Sequence, residues 1–361
     1  MTRGTQGSQG SQGSQGSQGS PGSPTTQGPH RALIAGLATA IGSLPHTDAG
    51  AAAAFALRAT PELAAAPQLP NRSALEGMLA QWLRGLPEVS VAPDGTFSVT
   101  SAIDVDAPVD TTFDPIAHGG LLTFVDVATA QPRVPQRIKA QLTGPLTLGV
   151  ALERAGVPNE IAFGRATALA RAWARAIERL VRERLPETEL VLFFDEPALV
   201  LWNDDVPPID HEHAGDLLSG AFAAVDCATG VHVCGNGDAR LALAAGPDVL
   251  GIDVSPRWLA DAAGLARFLD AGGFVAWGAV PTDRPVGESA APLWRSLVEL
   301  WCELTRRGCD GVLLRSRAMV TPSCGMAAHG VSQAEHSLAL ARDLAGRVFD
   351  QAAATKLTVG A

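Results

Sequence analysis

From about residue 31 the chain alternates between short, continuously apolar runs and longer stretches with helical spacing. "RIKAQLTGP" (137–145), "ELVLFFDEP" (189–197), "GVHVCG" (230–235), "DVLGIDVS" (248–255), "GFVAWGAVP" (273–281) and "RAMVTPSCG" (317–325) each end abruptly in Gly, Pro, Ser or acidic residues. With "ALIAGLATAIGS" (32–43) they make seven predicted strands, and an eighth is expected near "PQLPN" (67–71). Between them lie helical stretches such as 159–186 and 332–349. Apolar strands separated by helices predict a parallel sheet covered on both faces. No Gly-x-Gly-x-x-Gly follows the first strand, so a dinucleotide-binding open sheet gains no support. Eight strand–helix units over roughly 330 residues favour an α/β fold of the (β/α)8 TIM-barrel type. "TFSVTSAIDV" and "LLTFVDVA", within 94–130, are expected to form an inserted β-hairpin in the barrel domain of residues 31–361.

Residues 1–30 carry a Gly-Ser-Gln repeat that can bury almost nothing, and a disordered tail is expected there. The 361 residues carry a formal charge of −10, which argues against nucleic acid as a partner. No apolar run reaches the roughly 18 residues of a membrane span, and no secretory signal is evident, so a cytoplasmic location is expected. Five cysteines, an odd number, point to reduced thiols rather than a disulfide framework. Of these, Cys227, Cys302 and Cys309 fall in or beside predicted helices and are expected to be buried and structural.

Chemistry-bearing residues gather at strand ends. Ser43, Asp195, His232, Cys234, Asp253 and Cys324 each close a predicted strand, and in a barrel those ends converge on one mouth. His232 and Cys234, two apart on a strand, face the same way. Together with Cys324 they form a donor set that suits Zn²⁺, whereas Fe–S clusters usually take four cysteines. A core thiol beside a hydrogen-bonded histidine is the plain alternative. Asp253 is either a fourth, displaceable metal ligand or a helix cap. Asp195 and Glu196 must point to opposite sides, so one of them reaches the mouth, either to bind an amino group or to make a rim salt bridge. The Gly-containing turn at Ser43 offers main-chain N–H groups to a carboxylate.

"ATAIGSLPHTD", "KAQLTGPLTL", "FFDEPAL", "HVCG", "GIDVS" and "MVTPSCG" resemble, in order, the catalytic barrel of cobalamin-independent methionine synthase, over about residues 35 to 345. The resemblance is to a single-barrel core form within the uroporphyrinogen decarboxylase/methionine synthase-like superfamily. It implies a zinc-dependent methyltransferase that forms methionine from homocysteine. It implies His232, Cys234, Asp253 and Cys324 as zinc ligands, with Asp253 standing where the family has glutamate. Ile41, Gly42 and Ser43 match the loop that holds the homocysteine carboxylate, and Asp195 matches the acid that contacts its amino group; Asp195 and Asp253 are the catalytic candidates. The chain departs from the long-form enzyme in two places. "PQLPNRSALEGM" gives no clear match to a second homocysteine-binding glutamate, with Glu76 a remote candidate, and "GAVPTDRP" lacks the proton-donating histidine of that enzyme, with Asp283 the nearest acid. "HVCGNGD" and "GAVPT" are closer to related zinc methyltransferases that take methyl from a corrinoid. The implied donor is therefore a methylated corrinoid, with a corrinoid protein as partner, or a methyl-folate. Alternatives are transfer to another thiol and a non-catalytic zinc barrel.

Overall fold

The computed structural model describes Met1, residues 33–203 and residues 206–359. The repeat expected to form a tail lies outside the described residues, Met1 excepted. The chain runs α1 (Ala49–Ala59), β1 (Ala64–Ala65), α2 (Ala80–Leu83), β2 (Val89–Val91), β3 (Phe97–Val99), α3 (Gly119–Thr129) and β4 (Arg137–Thr143). There follow α4 (Pro145–Arg154), α5 (Asn159–Arg184), β5 (Glu189–Asp195), α6 (His211–Phe222), β6 (Ala228–His232), α7 (Ala239–Ala244) and β7 (Val249–Asp253). The last elements are α8 (Ala262–Asp270), β8 (Phe274–Val280), α9 (Ala291–Arg306), α10 (Gly311–Ser316), β9 (Ala318–Pro322) and α11 (Val331–Val359).

Seven strands form one parallel sheet in the order β1-β4-β5-β6-β7-β8-β9, curled into a half-barrel. Continuous apolar runs become strands here because both faces of the sheet are covered. Val191 and Phe193 join Val249, Ala276 and Met319 in a cluster on the concave side. The intervening Leu190, Leu192 and Phe194 join the larger core shared with the helices. Period-two alternation therefore sends residues 191, 193 and 195 of β5 to the concave side, and 228, 230 and 232 of β6 with them. Gly230 makes room there, because a Cβ would lie 2.7 Å from the Phe193 ring. Residues 36–44 do not form a regular strand. Gly36 and Gly42 hold φ values of 77° and 140°, which break the extended backbone. The run instead touches its neighbours at isolated parallel bridges, Ala38 to Val320 on one side and Ser43 to Gln68 on the other.

The inserted hairpin is shorter than expected and lies earlier in the chain. It pairs β2 with β3, Val89 opposite Val99, around a turn where Gly95 has φ 82°. "LLTFVDVA", expected as its second strand, belongs to helix α3. Leu121, Phe124, Val125 and Ala128 are buried at helical spacing, whereas a strand would have exposed half of them. Arg165 of α5, buried, pairs with buried Glu88 at 3.3 Å and donates to the Ala107 carbonyl at 2.6 Å, which docks this region on the helical layer. Among the described residues no helix is long and apolar enough to cross a membrane.

Candidate metal centre

β6 delivers His232 at its last position, and the ladder continues one step through the Val233 N–H to the Gly251 carbonyl at 2.9 Å. That step keeps Cys234 extended, on the same side as His232. Gly235, with φ 52°, then turns the chain, and Asp238 caps α7 by accepting from the Arg240 N–H at 2.8 Å. Beyond β9, the Ser323 N–H reaches the Val280 carbonyl at 2.8 Å and the Met326 N–H reaches the Ser43 carbonyl at 2.9 Å. The loop carrying Cys324 is thereby fastened to two neighbours.

The result is a convergent donor set. Cys234 Sγ lies 3.1 Å from His232 Nε2 and 3.3 Å from Cys324 Sγ. The three ligand atoms all fall within 4.8 Å of one another, a group that could hold a metal ion. A disulfide would bring the sulfurs to about 2.05 Å, so the two cysteines are free thiols. Their mutual hydrogen bond pushes the Cys234 thiol up, with burial adding to the rise, and holds Cys324 down, with His232 helping. Metal binding requires thiolates, so a cation held here would compete with the proton for the two sulfurs. Tetrahedral zinc with Zn–S near 2.3 Å needs sulfurs roughly 3.7 Å apart, so a small opening of the observed pair would seat it. His232 Nδ1, on the ring's other side, is buried against Gly251 with no hydrogen-bond partner. Nε2 is therefore the nitrogen offered to a metal.

Asp253, the expected fourth ligand, is not in this group. Its Oδ1 accepts from Arg257 Nη2 at 2.8 Å and from Trp258 Nε1 at 3.1 Å. The nearby guanidinium, four residues on, offers the carboxylate a full opposite charge and takes it. Asp253 is still close enough for its charge to help raise the Cys234 thiol.

Asp195 stands beside His232 in the strand register. It is buried, and its Oδ1 has no hydrogen-bond partner. Burial pushes its carboxyl up, while Lys139 and His232 oppose that shift. Glu196 points away, as two successive strand-end acids must. It accepts from the Leu146 N–H at 2.8 Å and from the Thr147 N–H and hydroxyl at 2.7 and 2.6 Å, capping the start of α4. Ile41, Gly42 and Ser43 come to the same end of the sheet. A Cβ on Gly325 would collide with the Ser43 hydroxyl, which places Ser43 directly beside the Cys324 loop.

Two residues not singled out in the sequence belong here. Lys139 is fully buried, donates to the Ile41 carbonyl at 2.5 Å and to Gln141 Oε1 at 3.1 Å, and lies 4.7 Å from the Phe193 ring centre. Burial pushes its amine down to about 8 against the pull of Asp195. Gln141 in turn donates to the Ala66 carbonyl at 2.8 Å. The signal was present in "RIKAQLT", where Lys and Gln two apart interrupt an otherwise apolar strand.

The remaining candidates lie outside the donor group. Glu76 is buried with its oxygens occupied by Arg72 and the Leu69 and Gly120 N–H groups. Asp283 is exposed beside Arg284. Cys309 is buried, but Cys227 is half-buried and Cys302 is exposed on α9, contrary to the expectation that all three lie in the core. No known family profile matches the chain, and no curated protein matches it.

Proposed function

We propose that this chain is a zinc-dependent methyltransferase that moves a methyl group onto the thiol of homocysteine, on a closed (β/α)8 barrel. The observation that carries the reading is the convergence of His232 Nε2, Cys234 Sγ and Cys324 Sγ at the end of the sheet that also holds the buried, unpartnered Oδ1 of Asp195. For closure, the support is the 36–44 segment, bridged to β9 through Val320 and to Gln68 just beyond β1. Zinc held by the three residues would supply Lewis acidity and deprotonate a thiol that is mostly protonated at neutral pH.

The chain's own residues bind and orient the amino acid. Asp195 Oδ1 takes the ammonium group, and Lys139 opposes the burial that would neutralise that carboxylate. The Ile41–Ser43 turn receives the carboxylate of the amino acid, with Lys139 and Gln141 bracing it from below. In the transfer, the thiol sulfur forms the new bond to carbon, the donor–carbon bond breaks with its electron pair staying on the donor, and the thiol proton leaves to solvent. The absence of a histidine in "GAVPTDRP" and the likeness of "HVCGNGD" and "GAVPT" to zinc methyltransferases that use a corrinoid favour a methylated corrinoid over a methyl-folate as donor.

The test is metal analysis of anaerobically purified protein, followed by methyl transfer to homocysteine from methylcobalamin and from methyl-folate in parallel. Stoichiometric zinc and methionine formation are expected, with both lost in Cys324→Ala. Zinc-free protein, or full activity in Cys324→Ala, refutes the proposal.

A further inference from the structure

Asp253 ends β7 two residues beyond Gly251, the register partner of His232, yet its charge is already spent elsewhere. Arg257 Nη2 pairs with Asp253 Oδ1 at 2.8 Å, and the same oxygen accepts from Trp258 Nε1 at 3.1 Å. Trp258 Nε1 also donates to the Asp253 carbonyl at 2.7 Å, fixing the indole against the strand end. The Arg257 guanidinium lies 3.9 Å from the Trp258 ring centre, a stacked geometry that leaves its fork little freedom. Its Nη1 donates to Asn236 Oδ1 at 3.1 Å, in the turn just past Cys234. One arginine thus ties the carboxylate to the loop that carries a metal-ligating thiol.

We infer that Arg257 and Trp258 latch Asp253 away from the metal, so that the resident protein ligand set is His232, Cys234 and Cys324 with the fourth position left for substrate. This rests on reading those three residues as a metal centre. Both side-chain contacts fall on Oδ1, so ligation through that oxygen would cost Asp253 a charge-assisted bond and an indole bond, and ligation through Oδ2 would have to carry the stacked guanidinium and the indole along with it. Nothing in the charge balance offsets that loss. Two thiolates and a neutral histidine already neutralise a divalent ion, so a carboxylate would bring the centre to −1. Three protein ligands with one open position distinguish a catalytic zinc site from a closed structural one.

The test uses the full chain with Zn²⁺ alone, titrated against a chromophoric chelator, and with Co²⁺ alone, read by its visible ligand-field bands. Asp253→Asn should change zinc affinity by less than about threefold, since the residue removed is not a ligand. Arg257→Met should free the carboxylate, tighten zinc binding by about tenfold and alter the Co²⁺ bands. Combining Arg257→Met with Asp253→Asn should restore wild-type affinity and spectrum. Arg257→Gln, which removes the charge and keeps a hydrogen-bonding group for Asn236, should move both readouts the same way if the Met variant folds poorly. A loss of tenfold or more in Asp253→Asn overturns the latch, as does an Arg257 substitution that leaves both readouts unchanged. Wild-type protein that binds neither ion overturns the metal centre itself, a result distinct from retained metal with a weakened Asp253→Asn.

Discussion

Lys139 provides a test in which two physical effects change places with pH. Its ammonium is fully buried, and burial lowers its pKa from the ordinary 10.5 to about 8. At about 1.4 kcal/mol per tenfold, holding the charge inside at neutral pH costs roughly 3 kcal/mol. Replacing it by methionine, similar in length and uncharged, removes that cost. The substitution also removes the donors to the Ile41 carbonyl and Gln141 Oε1, and leaving a buried carbonyl bare costs about 1–3 kcal/mol. The sign follows from the direction of the shift. The folded protein releases the Lys139 proton near pH 8 while the unfolded chain keeps it to 10.5, so the wild type gains stability as pH rises through that window. Urea unfolding should therefore find Lys139→Met as stable as wild type, or more stable, at pH 7. By pH 10.5 the variant should be the weaker by about 1–3 kcal/mol, because the cost has vanished and the lost hydrogen bonds remain. A wild-type-minus-variant difference that stays constant from pH 7 to 10.5 would refute the reasoning. A buried cation that costs stability where methionine would fit is better explained by the site it braces than by the fold.

His118 is buried among Trp82, Phe113 and Trp173, accepts from the Asp114 N–H at 3.0 Å, and has its pKa pushed down to about 4, chiefly by burial. Its contribution is present above pH 6.5 and lost as pH falls towards 4, by up to roughly 3 kcal/mol, and a His118→Gln variant should lack that slope in acid unfolding. Glu88→Ala strands the buried Arg165 guanidinium and should cost about 3–5 kcal/mol in urea unfolding, whereas Glu88→Leu with Arg165→Met should come back close to wild type. Gly42→Ala forces a Cβ into the Gln141 side chain at a φ of 140°, and should cost about 1–3 kcal/mol by the same measurement; an unperturbed midpoint would contradict the tight turn at Ile41–Ser43.

Much of the candidate site is legible in the sequence. "GVHVCG" and "TPSCG" each end an apolar run, and period-two geometry alone sends His232 and Cys234 the same way; the structure brings Cys324 to them. The adjacent acids of "FFDEP" were bound to part company, and they do, Asp195 towards the metal group and Glu196 onto the start of α4. Other features were closed to a linear reading. "LLTFVDVA" is eight residues of apolar character, short enough to suit a strand or a helix, and only its neighbours decide.

The sequence by itself determined the alternation of strands and helices, the parallel sheet and the placement of sulfur, imidazole and carboxylate at strand ends, because these follow from local periodicity and chain direction. Tertiary structure decided which charge meets which. Asp253 had the position of a ligand, but the guanidinium one turn further on claims its carboxylate. Lys139 interrupts an otherwise apolar strand, and the curl of the sheet turns it inward beneath Ile41. Such pairings depend on distances of about 3 Å between groups from separate elements, and pattern along the chain carries no record of them.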